Sequence, residues 1–351
     1  MSASLPSPIP NAGPIVITGP LSIPDLLDRT FRAMRARFGI LVLSAAVVMV
    51  PLGTITLLMS GRFMSTYSEI LQYSVMDSTS PELAFESMFG DMVGFFGVAM
   101  LIGLVYMLGS TLVSLLSIHH IERFLHGEKS TFGEGWRVAI SRLLPMIGMQ
   151  ILQALAIGAI TLLLMVVVGM VLFVIALGFG GAIAALDNDT ANIMLMMGMV
   201  VAIIFGYLLL IVLMLAPSVV FMGRWLAASP ILVVERLGPV KALQRSWALT
   251  KGRMWRGIIF VVLLWVFSFV VISLPVGVAQ WVGMVAVPSQ IVLVGILSTA
   301  ASYILNLFYQ PFFAAGMTLF YYDLRVRAEA YDVALRVSAL EAEVAPDAPP
   351  A

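Results

Sequence analysis

Five long stretches of this 351-residue chain contain no Asp, Glu, Lys or Arg. Together they hold 198 residues, more than half of the chain: 38–61, 92–121, 143–186, 190–223 and 257–322. An α-helix needs about 20 predominantly apolar residues to cross a bilayer. Each stretch is therefore long enough for at least one membrane span. The pattern predicts an all-α fold, a polytopic bundle of membrane-spanning helices.

The overall composition excludes several other classes of protein. The chain is 61% hydrophobic and 11% charged, whereas a soluble globular domain has about 25% charged residues. It contains no cysteine, which excludes disulfides and thiolate metal sites. Its net charge is zero, so it lacks the excess positive charge that nucleic-acid binding requires. We expect no nucleic-acid partner.

The five stretches predict six spans. The predicted spans are 39–60, 92–116, 145–177, 192–222, 257–283 and 290–320. The longest stretch must hold two spans, and Pro288 with Ser289 predicts the turn between them. The stretch 143–186 could hold one long span or two short ones. Gly178, Gly180 and Gly181 favour one span followed by a break.

The distribution of basic residues predicts the orientation of the chain. Six spans with both termini inside would place 18 of the 19 Lys and Arg residues on the inner side, with Arg62 outside. Short cytoplasmic loops carry an excess of Lys and Arg. We therefore expect a multi-pass protein of the cell membrane with both termini in the cytoplasm. The membrane domain is predicted to span 22–335, between a disordered Pro-rich tail (1–21) and a second disordered tail (336–351).

Three segments on the predicted inner side resemble one another. Residues Ser22–Asp25 and Thr131–Glu134 have the pattern of a helix-capping box, and Gly238–Pro239 is a second kind of helix start. In each segment an aromatic residue precedes an arginine by six positions: Phe31 and Arg37, Trp136 and Arg142, Trp247 and Arg253. Each segment then leads into two spans. The chain is therefore predicted to hold three amphipathic interfacial helices and a threefold repeat of helix plus hairpin.

Two interpretations of these basic amphipathic helices remain open. They could serve only to anchor the topology, with apolar side chains toward the acyl chains. Alternatively, they could contact anionic phospholipid headgroups or a membrane or cytoplasmic protein partner. The candidate contact residues are Arg37, Arg142, Lys241, Arg245, Lys251 and Arg253.

The sixth predicted span carries four polar residues at intervals of four: Ser298, Ser302, Asn306 and Gln310. This spacing places them on one helical face. Polar side chains do not favour lipid, so the face is expected to meet other helices or a wet cavity. It is either a helix seam with interhelical hydrogen bonds or a path for a polar headgroup or solute.

No catalytic, cofactor-binding or metal site is predicted. The cores of the spans hold no ionisable residue, whereas proton-coupled transporters usually need one. His119, His120 and His126 lack a recognisable ligand set apart from Glu122. Near the C-terminus, Asp323 and Arg327 could stabilise their own helix as a pair four residues apart, or help to dock the helix on the basic segment 224–256.

Three segments resemble a prokaryotic family, the membrane domain of glycerophosphoryl diester phosphodiesterase. They are residues 21–39, 233–253 and 321–332, and the resemblance extends over about residues 20–335. The family pattern has Gly where this chain has Ala330. Some members are fused to a phosphodiesterase barrel, and this chain has no such segment, so the resemblance implies no hydrolytic activity.

These observations lead to two functional hypotheses. The first is a non-enzymatic integral membrane protein that serves as an anchor or accessory component in envelope or lipid-related processes. The second is a transporter or flippase for a lipid-like or amphiphilic substrate, which would use the polar face of the sixth span. No cofactor is expected in either case.

Overall fold

The computed structural model describes residues 19–76, 81–185 and 189–330. Within these ranges all regular structure is helical. Six helical segments are long and apolar enough to cross a membrane: Phe38–Met59, Val93–Leu125, Phe132–Gly181, Ile193–Val234, Met254–Ala286 and Ile291–Glu329. The prediction of an all-α bundle with six spans is confirmed. The predicted tails lie outside the described residues, apart from residues 19–21.

The helices follow one another with short connections. They are α1 (Ile23–Ala36), α2 (Phe38–Met76), α3 (Pro81–Leu125), α4 (Phe132–Ala185), α5 (Asp189–Trp225), α6 (Ala228–Val234), α7 (Pro239–Leu249), α8 (Met254–Ser268), α9 (Leu274–Ala286) and α10 (Ile291–Glu329). A five-residue π-helical segment, Phe269–Ser273, joins α8 to α9. A short 3₁₀ turn at Pro288–Gln290 joins α9 to α10, where the sequence predicted a turn.

Residues 143–185 form part of one continuous helix, α4, as predicted. The predicted break after residue 177 is wrong, because α4 continues through Gly178, Gly180 and Gly181 to Ala185. Glycine is tolerated within membrane helices, since lipid offers the backbone no alternative hydrogen-bond partner. α4 also begins at Phe132, so the second of the three short helices is continuous with its span.

The π-helical segment was not predicted. It immediately precedes Leu274 and Pro275, at the start of α9. Proline has no backbone N–H and its ring collides with the carbonyl four residues earlier. The preceding turn therefore rearranges, which is a common cause of π-helical segments within longer helices.

Helices α2, α3 and α10 pack against one another at the centre of the bundle. Around them, α1 packs on α10, α4 on α3, and α5 on both α4 and α8. Helices α5 and α8 approach most closely at two glycines. A Cβ atom on Gly257 would collide with the carbonyl oxygen of Gly223, so the crossing requires glycine there.

Most of the buried side chains lie at one end of the bundle. We define the basic end as residues 21–37, 115–149, 223–264 and 309–330. Its core includes Tyr321 and the stacked rings of Phe260 and Phe320, whose centroids are 5.2 Å apart. Apart from Arg62, every Lys and Arg residue in the part of the chain that the structure describes belongs to the basic end.

Candidate functional site

Two helices of the basic end begin with a complete capping box. At α1, Ser22 Oγ accepts from the backbone N–H of Asp25 (3.2 Å), and Asp25 Oδ2 accepts from the N–H of Ser22 (3.1 Å). At α4, Thr131 and Glu134 make the same reciprocal pair, at 3.4 and 3.2 Å. The hydrogen bonds from Ser22 lower the pKa of Asp25. Both predicted boxes are confirmed.

Helix α7 begins differently. Gly238 is its N-cap residue and makes no side-chain cap, and Pro239 occupies the first turn. The third helical position, which is acidic in the capping boxes, holds Lys241. The predicted start at Gly238–Pro239 is therefore correct, but this helix has a cation where the other two have a carboxylate.

Three of the candidate arginines bind backbone carbonyls within the bundle. Arg37 donates to the carbonyl of Glu128 (2.9 Å). Arg142 donates to that of Arg236 (3.3 Å), and Arg253 donates to that of Arg327 (2.8 Å). Arg37 and Arg253 precede a pair of spans and Arg142 lies near the start of α4, the first helix of its pair. Each acceptor lies close to the end of the same pair or just after it. These contacts favour the threefold repeat, which stays a prediction.

Four of the described residues have a left-handed backbone. One is Gly252, between α7 and α8, and the other three lie shortly after the end of a pair of spans. These three are Gly127, with φ of 75°, Arg236, with φ of 53°, and Ala330, with φ of 49°. Glycine adopts this conformation at much lower cost than other residues. Ala330 therefore stands at a position where glycine would adopt the same conformation at lower cost.

The N-terminal segment is held against α10 through the backbone of Leu21. Its N–H donates to Asp323 Oδ1 (2.8 Å), and its carbonyl accepts from Arg256 and from Arg327 (2.7 Å). Asp323 is fully buried and forms ion pairs with Arg256 (2.9 Å) and Arg327 (3.1 Å). Asp323 therefore pairs within its own helix and also docks α10 on the segment 224–256.

A second charged cluster joins α10 to the connection between α6 and α7. Arg245 pairs with Glu235 (3.2 Å) and with Glu329, and Tyr321 donates to Glu235 (2.9 Å). Arg325 also pairs with Glu329 (3.1 Å). Burial disfavours the charged form of Arg245, but Glu329 and Glu235 outweigh it and raise the pKa of Arg245.

Two of the six candidate basic residues remain exposed without an ion pair among the described residues. They are Lys241 and Lys251. Four other basic residues share this state: Arg35, Lys129, Arg137 and Arg236. We call these six residues the exposed cations. The structure brings Arg37, Arg142, Arg245 and Arg253 into internal contacts instead.

The acidic residues of the basic end are all engaged. The described part of this end has 17 basic and 8 acidic residues. Two acidic residues cap helices, and six lie in ion pairs or beside a histidine: Asp28, Glu122, Glu128, Glu235, Asp323 and Glu329. The charge that remains exposed is consequently positive.

The polar face of α10 meets α3 at Tyr106. The Tyr106 hydroxyl donates to Asn306 Oδ1 (3.2 Å) and accepts from Gln310 Nε2 (2.8 Å). Ser302 instead donates to the carbonyl of Ser298 in its own helix (3.0 Å). Two of the four predicted residues are thus brought together across a helix seam. Tyr106 was missed, because a tyrosine within a span has no characteristic spacing.

His120 of α3 links this helix to α2 and to the segment before α4. The His120 ring contacts the Ser130 hydroxyl (2.9 Å) and the Ser44 hydroxyl (3.4 Å). His119 Nδ1 lies 4.0 Å from the carboxylate of Glu122. In the ranges that the structure describes, no three His, Cys, Asp or Glu side chains are arranged to hold a metal ion.

Comparison with known proteins supports the resemblance over part of the chain. No curated protein and no solved structure matches the chain. Residues 193–334 match the family described as the membrane domain of glycerophosphoryl diester phosphodiesterase. This range covers nearly all of α5 and the helices through α10, with two of the three segments on which the resemblance was based. The chain is an integral multi-pass membrane protein that resembles this membrane domain over residues 193–334.

Proposed function

We propose that the chain is a non-enzymatic anchor or accessory protein of the cell membrane, active in envelope or lipid-related processes. Both termini lie in the cytoplasm, and the basic end faces the anionic headgroups of the inner leaflet. A membrane or cytoplasmic protein partner binds at the same end.

The excess of exposed positive charge carries this proposal. The exposed cations extend from α1 across the starts of α4 and α7 to the loop before α8, and every described acidic residue nearby is already engaged. Each Lys or Arg close to an anionic membrane surface contributes about 1 kcal/mol to binding. Six such residues give a surface that strongly favours anionic over zwitterionic lipid.

The engagement of charged groups also supports a non-enzymatic role. Acid, base and nucleophilic groups of an active site converge on a common pocket. Here the described carboxylates of the basic end cap helices, form ion pairs or lie beside a histidine. The family match concerns the membrane domain, and the described residues contain no β-strand from which a phosphodiesterase barrel could be built.

Orientation can be tested by labelling because the chain has no cysteine. The substitutions Lys251→Cys and Ser289→Cys, made in separate variants, place single thiols at exposed positions on opposite ends of the bundle. In intact cells, a membrane-impermeant maleimide is expected to label the thiol at position 289. The thiol at position 251 should react only after lysis. The reverse pattern would overturn the proposed orientation.

Co-purification tests the accessory role. The native protein is extracted in a mild detergent, and its bound lipids and proteins are identified by mass spectrometry. We expect enrichment of anionic phospholipid relative to the whole membrane, and a partner protein in stoichiometric amount. Lipid in the proportions of the membrane, with no stoichiometric protein, would contradict the proposal.

The alternative function is transport or flipping of an amphiphilic substrate along the polar face of α10. The Tyr106 bridge is the contact expected of a helix seam, so it favours the accessory role. Proteoliposomes with a fluorescent lipid in one leaflet separate the two functions. The accessory role predicts translocation at the rate of protein-free vesicles, and fast translocation that Asn306→Ala abolishes would support the alternative.

A further inference from the structure

Arg224 lies in the last turn of α5. Its guanidinium has no carboxylate or carbonyl partner among the described residues. Its Nε and Nη1 atoms are buried and make no hydrogen bond. The guanidinium lies over the ring of Trp247, with Cζ 4.8 Å from the ring centroid. The other partly buried arginines with described contacts pair with carboxylates or carbonyls, so Arg224 is unusual among them.

A partly buried guanidinium without an acceptor is costly. Buried charges in proteins are normally paired, and a buried donor without a partner lowers stability, most strongly when the group is charged. The contact with Trp247 is favourable, but it supplies no hydrogen-bond acceptor. An anion from outside the described chain, close to the guanidinium, would compensate its charge.

The surroundings of Arg224 indicate which anion fits. Phe221, Trp225 and Trp247 form an aromatic cluster, with ring centroids 4.6 to 6.3 Å apart. Tryptophan favours the headgroup level of a bilayer. Ser246 donates to the carbonyl of Arg224 (2.7 Å) and so fixes α7 beside the end of α5. An anionic group there meets a cation, and an attached acyl chain meets aromatic and apolar side chains.

We infer that Arg224 and Trp247 form a discrete site for the phosphate of one anionic phospholipid, whose acyl chains lie along the outer surface of α5. This site rests on the proposed function in requiring that the basic end lie at the headgroup level. It differs from the exposed cations in being a single, saturable site.

Native mass spectrometry of the full chain in detergent, titrated with phosphatidylglycerol, tests the site. We expect one adduct per chain that persists at high ionic strength. Arg224→Gln should weaken this adduct at least tenfold, and Arg224→Lys should weaken it less. The matched control is Arg137→Gln, which removes an exposed cation and should change the affinity less than twofold. Equal effects of Arg224→Gln and Arg137→Gln would overturn the site.

Trp247→Leu provides a second test that keeps Arg224. It removes the ring beneath the guanidinium and should weaken the adduct several-fold, while Trp281→Leu, at the opposite end of the bundle, should not. If Arg224→Gln does not fold, the comparison of Trp247→Leu with Trp281→Leu tests the site on its own. Equal affinities of these two variants for phosphatidylglycerol would overturn the site.

Two other anions could occupy the same position. Inorganic phosphate at millimolar concentration should not displace phosphatidylglycerol, because acyl chains contribute to the binding of the lipid. Displacement would show that the site binds a free anion, and this result would overturn the lipid assignment. A chain that ends at Ala330 should bind the lipid with unchanged affinity. Binding that appears only after this truncation would show that a carboxylate of residues 331–351 fills the site, which overturns the proposal.

Failure of this site is distinguishable from failure of the proposed function. Replacing Lys129, Lys241 and Lys251 by Gln should reduce the number of loosely bound anionic lipids and preserve the single adduct. Arg224→Gln should remove the adduct and preserve the loose enrichment. Loss of the adduct in the triple variant would overturn the discrete site, whereas absence of loose enrichment in the wild-type chain would count against the proposed function alone.

Discussion

The basic end and the outer halves of α4 and α5 are built in opposite ways. At the basic end, side chains from α1, α3, α7 and α10 are buried together, and buried charges such as Asp323 are paired. Along α4 and α5, from residue 151 to residue 215, most of the described large apolar side chains are exposed, as Leu163 is at 63%. Both regions are helical, yet only the basic end, which also carries most of the charged residues, is packed closely against protein.

We attribute this difference between the two regions to the medium that surrounds each of them. Lipid tails are as apolar as leucine, so no hydrophobic force drives helices together within the bilayer. Specific contacts between helices must come from close packing and hydrogen bonds. The basic end has both, so we expect it to hold most of the stability that depends on sequence. Five substitutions or conditions test this expectation.

The largest loss of stability is expected for Asp323→Ala. The variant leaves Arg256 and Arg327 without their carboxylate in a site where Asp323 is fully buried. Breaking a buried ion pair typically costs about 3–5 kcal/mol, and we expect about 3 kcal/mol because both arginines are partly exposed. Denaturant unfolding in mixed micelles measures it. The control is Leu163→Ala in α4, and an equal loss in both variants would remove the distinction between the regions.

Gly257→Ala is expected to cost about 1–3 kcal/mol, the usual range for overpacking. The added methyl group would collide with the backbone oxygen of Gly223, so α5 and α8 would have to separate. Gly169→Ala in α4 is the matched control, because its methyl group would meet nothing within 4 Å. Thermal unfolding of the two variants should differ clearly, and equal midpoints would contradict the close crossing.

Tyr106→Phe should cost about 1 kcal/mol, since hydrogen bonds between membrane helices average about 0.6 kcal/mol each and the hydroxyl makes two. Tyr207→Phe on α5 is the control, because Tyr207 is 61% exposed. The same unfolding measurement applies. A loss below about 0.3 kcal/mol for Tyr106→Phe would show that the seam does not stabilise the bundle.

Ala330→Gly should stabilise the end of α10 by about 0.5–1 kcal/mol, because glycine adopts the left-handed conformation more readily than alanine. Ala328→Gly, two residues earlier and still helical, should destabilise by a similar amount, about 1 kcal/mol. The thermal unfolding midpoint is expected to rise in Ala330→Gly and to fall in Ala328→Gly. A change of the midpoint in the same direction in both variants would contradict the left-handed conformation of residue 330.

The smallest expected effect is a dependence on pH at the start of α1. The pKa of Asp25 is lowered from its ordinary value of 3.8 by the hydrogen bonds from Ser22. Its contribution to stability is therefore fully present above pH 3.8 and is lost as the pH falls through the lowered value. The protection of the first turn of α1 against hydrogen exchange, relative to the intrinsic rate at each pH, should fall over this range. Asp25→Asn should abolish the dependence, and an unchanged dependence would exclude Asp25 as its source.

Local features of the structure could be predicted from the sequence. Hydropathy and charge predict all six spans, because the bilayer fixes the length of an apolar helix. The capping boxes at Ser22 and Thr131 are equally visible, since each depends on residues only three positions apart. The extent of α4 was underestimated, because the rule that glycine ends a helix applies in water and not in lipid.

Contacts between distant parts of the chain could not be predicted. Leu21 binds Asp323 across 302 residues, and Tyr106 binds Asn306 across 200. Arg37 and Arg253 are candidate contacts for anionic lipid or a protein partner from the sequence, and in the structure their guanidinium groups bind carbonyls that become neighbours only after folding. Whether a basic residue is exposed or internally bound depends on the assembled bundle, and a single sequence does not contain that information directly.

The central claim is that the basic end binds anionic headgroups through its exposed cations. Spin-labelled phosphatidylglycerol and phosphatidylcholine, compared in vesicles that contain the purified protein, test it most directly. The wild-type chain should immobilise more phosphatidylglycerol than phosphatidylcholine, and this excess should fall with added salt and in the variant with Gln at positions 129, 241 and 251. Equal immobilisation of the two lipids by the wild-type chain, or an excess that the triple variant retains in full, would contradict the claim.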